Sequence, residues 1–276
     1  MKAFIAFLGL LVGTYAFGFQ SFMEENDLHL QDSFYGNNMT EEEFDEIISK
    51  MQEIYEPVSE ATGMDLDIDG YWSNSTVNAY AYQSSGTRYV RVYGGLARRA
   101  EITQDGLVLV ICHELGHHLG GFPKYTDYEW AANEGQSDYY STIACARKVW
   151  GEIHIDRKSA YILPEVRKIC NEIWYTTNDR NLCHRTLMAS KSLADLLASL
   201  HGVTVDFSKK DGKIVSETYE KHPRPQCRLD TYVAGALCEA KWDHKFIPKT
   251  EREADWVSCP EDKYGAKPRC WYAPGK

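Results

Sequence analysis

The 276-residue chain has no C-x-x-C pair, no excess of basic residues and no internal repeat or low-complexity tract. Beyond its first residues it also has no apolar run of membrane-spanning length. Each absence excludes something. Without C-x-x-C spacing, zinc ribbons and redox motifs are disfavoured. With 30 Lys and Arg against 40 Asp and Glu, the net charge of −10 leaves no broad footprint for nucleic acid. Without a later long apolar stretch, the processed chain is expected to lack a transmembrane segment and to be soluble. No convincing linker divides residues 19–276, which are expected to form one domain and to act as a monomer.

What is present first is an export signal. Lys2 supplies a positive n-region, Ala3 to Val12 form a short apolar core, and small residues at Ala16 and Gly18 offer cleavage points. Residues 1–18 therefore read as a signal peptide, and residues 19–39 as a short prosegment or an unstructured lead-in. The eight Cys (112, 145, 170, 183, 227, 238, 259 and 270) agree with an oxidising destination, periplasmic or extracellular, and with disulfides. Connectivity cannot be deduced from eight Cys. Cys259 with Cys270 is the best single pairing, because both lie in the loop-rich tail, and Cys112 is either paired or a buried thiol.

The hydrophobic periodicity gives an α+β, mostly helical chain. Thr40 to Glu43 is a capping box. Phe44, Ile48, Met51 and Tyr55 then recur at helical spacing up to Pro57 and Gly63. From 64 to 96 the period is two, with strands over 64–69, 77–82 and 88–93 and a turn at Ser84-Ser85-Gly86; a small antiparallel sheet is expected. Asp65 to Gly70 begins like a calcium loop, but Thr76 stands where the closing Glu is needed, so the strand reading is preferred. Helices follow over 106–119, ended by Gly120-Gly121, and over 128–150, capped by Thr126 or Asp127. Further helices are expected near 159–175, 179–201 and 225–241, then an irregular Pro-, Gly- and Cys-rich tail.

His113-Glu114-Leu115-Gly116-His117 is an H-E-x-x-H motif inside the 106–119 helix. Residues four apart share a helix face, so both imidazoles can reach one cation. Glu114 is offset by one position, near enough to act as general base on a water but badly placed to ligate. A catalytic zinc needs a third protein ligand and an open position. Glu134 on the next helix supplies it if the Gly/Pro-containing connection reverses the chain. Asp138, one turn further on, is placed to accept the second ring N–H of a ligand His. His118 points about 100° away and is read as packing. His29, His154, His184, His201 and His244 show no partner pattern.

These pieces stand in the order found in one family. Asn78-Ala79-Tyr80-Ala81, Val92-Tyr93-Gly94-Gly95-Leu96, the H-E-x-x-H helix, Glu134 to Asp138, and His222-Pro223 followed by Arg228 together resemble the gluzincin zinc metallopeptidases of the HtpX, CAAX-prenyl-protease and BepA type. The resemblance covers about residues 64–235. It implies a zincin-like metallopeptidase domain, an endopeptidase acting on protein or peptide substrates, and Zn2+ as cofactor. It also implies that the strand carrying Asn78, Ala79 and Tyr80 binds substrate in extended form. His222 and Arg228 are implied to approach the active site, for oxyanion stabilisation or regulation. The competing expectation is a non-catalytic exported chaperone or binding module, with His222 filling the fourth zinc position and the lead-in covering the cleft.

Overall fold

A computed structural model describes residues 18–32, 36–151 and 161–275. All but the last residue of the expected signal peptide (1–18), the start of the helix expected from 159, and His154 lie outside them. The chain opens with strand β1 (Gln20–Ser21) and helix α1 (Glu41–Thr62). Both arms of the Thr40–Glu43 capping box are formed, and Gly63 closes the helix at φ 63°. Phe44, Ile48, Met51, Tyr55 and Val58 make its buried stripe. Pro57 lies inside α1 and does not end it. The hydrogen bond it removes is offset by Tyr55 and Val58, anchored in the core on either side.

Strands β2 (Asp65–Tyr71), β3 (Ala79–Ser84) and β4 (Thr87–Tyr93) follow. The sheet order is β1-β3-β4-β2. The β3–β4 hairpin turns through Ser85 and Gly86, both at positive φ, as a two-residue loop requires. The sheet is mixed, where an antiparallel one was expected. β1 pairs antiparallel with β3, but β2 pairs parallel with β4, Ile68 opposite Val90. The connection from β2 must therefore cross the end of β4, and it does so over two glycines. A Cβ on Gly94 would lie 1.8 Å from the Trp72 carbonyl oxygen, and one on Gly95 1.9 Å from that of Ser75. Gly94 and Gly95 open the short helix α2 (Gly94–Ala97).

The motif helix is α3 (Gln104–Leu119), capped by Thr103. The helix expected over 128–150 begins later and is not continuous. Residues 121–133 are a loop with a cis Phe122–Pro123 bond, and α4 (Glu134–Tyr140) starts at an Asn133 cap. A π turn at Ser141–Cys145 leads into α5 (Ala146–Gly151). Helices α6 (Pro164–Ile173), α7 (Thr177–Leu200) and α8 (Pro225–Leu237) complete the bundle, and the tail adds the short α9 (Glu251–Ala254). No helix among the described residues is long and apolar enough to cross a membrane.

All eight Cys are paired: Cys112–Cys145, Cys170–Cys183, Cys227–Cys270 and Cys238–Cys259. The expected Cys259–Cys270 bond is thus replaced by two bonds that tie the tail to α8, and Cys112 is not a free thiol. The described start of the lead-in is also structured, since Phe22 and Met23 belong to the main core.

Candidate metal centre

Glycine and serine bring α3 and α4 together. A Cβ on Gly116 would stand 2.8 Å from the Ser137 Cα, so only the glycine inside the motif allows this approach. The loop between the helices is bonded back to α3, with Ala132 N–H donating to the His117 carbonyl. From the other side, Trp271 of the tail seals α4: a Cβ on Gly135 would lie 2.1 Å from its ring. Glu134 is therefore held at the start of α4, facing the two motif imidazoles.

Its carboxylate sits 3.3 Å from His113 Nε2 and 3.6 Å from His117 Nε2, all three side chains being fully buried. The three ligand atoms lie within 4.8 Å of one another. The opposite ring nitrogens are engaged. His113 Nδ1 meets Asp138 Oδ1 at 2.8 Å, and His117 Nδ1 meets the Ala132 carbonyl at 2.8 Å and Ser137 Oγ at 3.0 Å. With Nδ1–H donating to these acceptors, each Nε2 is directed into the cage. Neither Nε2 has a hydrogen-bond partner among the described residues, nor does Glu134 Oε2. Two imidazole nitrogens and a carboxylate converging this way fit a catalytic zinc.

The electrostatics favour a cation there. Burial alone would lower the His113 pKa, but Asp138 and Glu134 overcome it and raise it to about 9. His117 is lowered to about 4 by burial, which keeps it neutral. Glu134 stays ionised despite burial, because His222, His117 and His113 surround it. Glu114 is fully buried with no partner for either oxygen, and burial pushes it up to about 8. A dication within a few ångströms acts in the opposite direction and holds such a carboxyl ionised.

Arg228 comes next to the centre from α8. It is buried and gripped by Asp138 through Nε–Oδ2 and Nη2–Oδ1, both 2.7 Å. Its Nη1 donates to the Phe22 carbonyl at 2.6 Å. His222 Nε2 lies 3.3 Å from Glu134 Oε2 and donates to the Ser21 carbonyl at 2.8 Å. The edge of β3 carrying Ala79 and Tyr80 is occupied by β1, and the Asn78 amide exchanges hydrogen bonds with the Met23 backbone. His118 points away, its Nε2 bonded to the Tyr89 carbonyl and its ring stacked on Trp130.

Several neighbours of the cage carried no sequence signal. Tyr125 donates its hydroxyl to Glu134 Oε1 at 2.6 Å, reached only because the 121–133 loop folds over α4. Phe22 stands edge-on to the His113 ring, centroids 5.4 Å apart. The Asn133 cap, bonded to Gln136 N–H, was the one legible sign that α4 starts at Glu134.

Residues 41–128 match the family model described as Peptidase family M48. The match takes in α1, strands β2 to β4 and the H-E-x-x-H helix, and supports a zinc metallopeptidase. It stops before Glu134, so a ligand role for Glu134 and a supporting one for Asp138 rest on geometry. No curated protein and no solved structure matches the chain.

Proposed function

We propose that this chain is an exported zinc endopeptidase of the gluzincin type, with His113, His117 and Glu134 as ligands and Glu114 as general base. The observation that carries the reading is the pair of fixed imidazoles whose free nitrogens face a buried Glu134 carboxylate. Zinc in that cage supplies Lewis-acid activation of water and of a substrate carbonyl. Glu114 accepts a proton from the attacking water and returns it to the leaving amine. Asp138 holds the His113 ring, and Arg228 holds Asp138, so Arg228 is a positioning residue. His222, whose Nε2 lies 3.3 Å from Glu134 Oε2, is assigned the stabilisation of a developing oxyanion once its Nε2–H leaves the Ser21 carbonyl. The four disulfides support export to an oxidising compartment, and the proposed substrates are unfolded proteins or peptides.

Replacing Glu114 by Gln should abolish hydrolysis of unfolded casein by zinc-loaded protein while zinc content stays unchanged. Retained hydrolysis would exclude Glu114 as the base. The competing reading, a zinc-containing binding module with a blocked site, draws on the fully buried centre and the strand lying across it. It predicts no hydrolysis by wild type, with or without a chelator.

A further inference from the structure

The residues that surround the centre hold a peptide, and that peptide is the chain's own lead-in. Gln20 and Ser21 pair antiparallel with Ala81 and Tyr80, and Phe22 N–H donates to the Ala79 carbonyl at 3.1 Å. Three side chains then bind backbone. His222 donates to the Ser21 carbonyl, Arg228 to the Phe22 carbonyl, and Asn78 both accepts from Met23 N–H and donates to the Met23 carbonyl. These contacts do not depend on the sequence held. Such a set suits any extended polypeptide added to a sheet edge.

Two buried side chains, Phe22 and Met23, do carry selectivity, and Phe22 lies against the centre itself. Phe22 is wholly buried between the His113 ring, edge-on at 5.4 Å, and the Arg228 guanidinium, 4.8 Å from the Phe22 centroid. Residues 24–29 beyond it are exposed. A cavity of about 200 Å³, bounded in part by Met23, Leu28, Leu197, His222 and Pro223, runs beside the segment. The strand is thus anchored by two buried side chains, Phe22 and Met23, and by backbone bonds, on a tether that solvent reaches.

Resting on the peptidase reading above, we propose that residues 20–23 are a resident substrate mimic. They take the place of an extended peptide on β3, and the Phe22 pocket makes a large apolar side chain the one the site selects. Activity then depends on the fraction of time the edge is free, so occupancy of 90–99% lowers it roughly 10–100-fold.

The test uses the full chain with a recognition sequence for a site-specific protease inserted between the exposed Glu25 and Asn26. Zinc-loaded protein is assayed on unfolded casein before and after cleavage. The same cleavage is made in the Glu114→Gln background, where binding of a fluorescent peptide of residues 19–25 is followed by anisotropy. The expected result is at least a ~10-fold rise in hydrolysis on cleavage, reversed by adding the 19–25 peptide. A peptide with Phe22→Ala should bind ~10–100-fold more weakly. Unchanged hydrolysis after the strand has left, or equal binding of the two peptides, overturns the proposal. So does a nicked strand that survives gel filtration and denies the edge to saturating peptide, since it is then architecture. Absence of hydrolysis in every form, with zinc bound, sinks the peptidase reading alone; anisotropy still decides whether the edge is a peptide site vacated by the strand.

Discussion

Replacing Asp138 by Asn changes no volume and should nevertheless uncouple the metal centre from the fold. Asp138 is fully buried and both its oxygens are used, Oδ1 by His113 Nδ1 and Arg228 Nη2, and Oδ2 by Arg228 Nε. An amide keeps one acceptor and turns the other oxygen into a donor that faces guanidinium or imidazole N–H. Arg228, itself buried, loses the one carboxylate at hydrogen-bond distance among the described residues. Breaking one side of a buried pair costs about 3–5 kcal/mol. Losing the carboxylate behind a ligand His weakens metal binding about 10–100-fold. Zinc affinity is read by competition with a chromophoric chelator, and stability by urea titration at fixed free zinc. Adding Arg228→Met to Asp138→Asn separates the two effects. It removes the stranded guanidinium and should recover a large part of the stability, but His113 still lacks its anionic partner and zinc binding stays weak. A zinc affinity within about threefold of wild type in Asp138→Asn would refute the orienting role.

Two further perturbations address the frame. Removing the Cys112–Cys145 bond with alanines opens a loop of sequence separation 33 beside His113; a loss of about 3–4 kcal/mol is expected from loop entropy, and an unshifted urea midpoint would show that the bond constrains nothing. Lys267 is buried between Tyr139 and Tyr272, and burial lowers it from 10.5 to about 8. Its unfolded form therefore binds more protons between those values, so wild-type stability rises with pH across that window. Relative to Lys267→Met, wild type should gain about 3 kcal/mol from pH 8 to 10.5; a constant difference would mean that Lys267 is not desolvated.

What the sequence disclosed was local. His113, Glu114 and His117 follow from one helical turn, and the Thr40 capping box fixed the start of α1. Glu134 required only that two neighbouring helices reverse, although the boundary was misplaced because Tyr128 and Trp130 continue a helical spacing across what is a loop. Non-local pairing was illegible. The parallel β2–β4 register depends on a crossover over Gly94 and Gly95, invisible without the Trp72 and Ser75 carbonyls above them. Cys259 and Cys270 are neighbours in sequence, but Cys270 pairs with Cys227 and Cys259 with Cys238, because the tail is drawn back over α8 and α4 by Trp271. Residues 19–23 are too few to show a period, and their anchoring comes from β3, His222 and Arg228, distant in the chain.

The central claim is a single cation held by His113, His117 and Glu134. X-ray absorption at the zinc edge of the purified protein, paired with metal analysis of Glu134→Ala, tests it directly. The account predicts one zinc per chain with two imidazoles and carboxylate oxygen at about 2.0–2.1 Å, and loss of most zinc in Glu134→Ala. Sulfur scattering at about 2.3 Å, or a full zinc complement without Glu134, would contradict it.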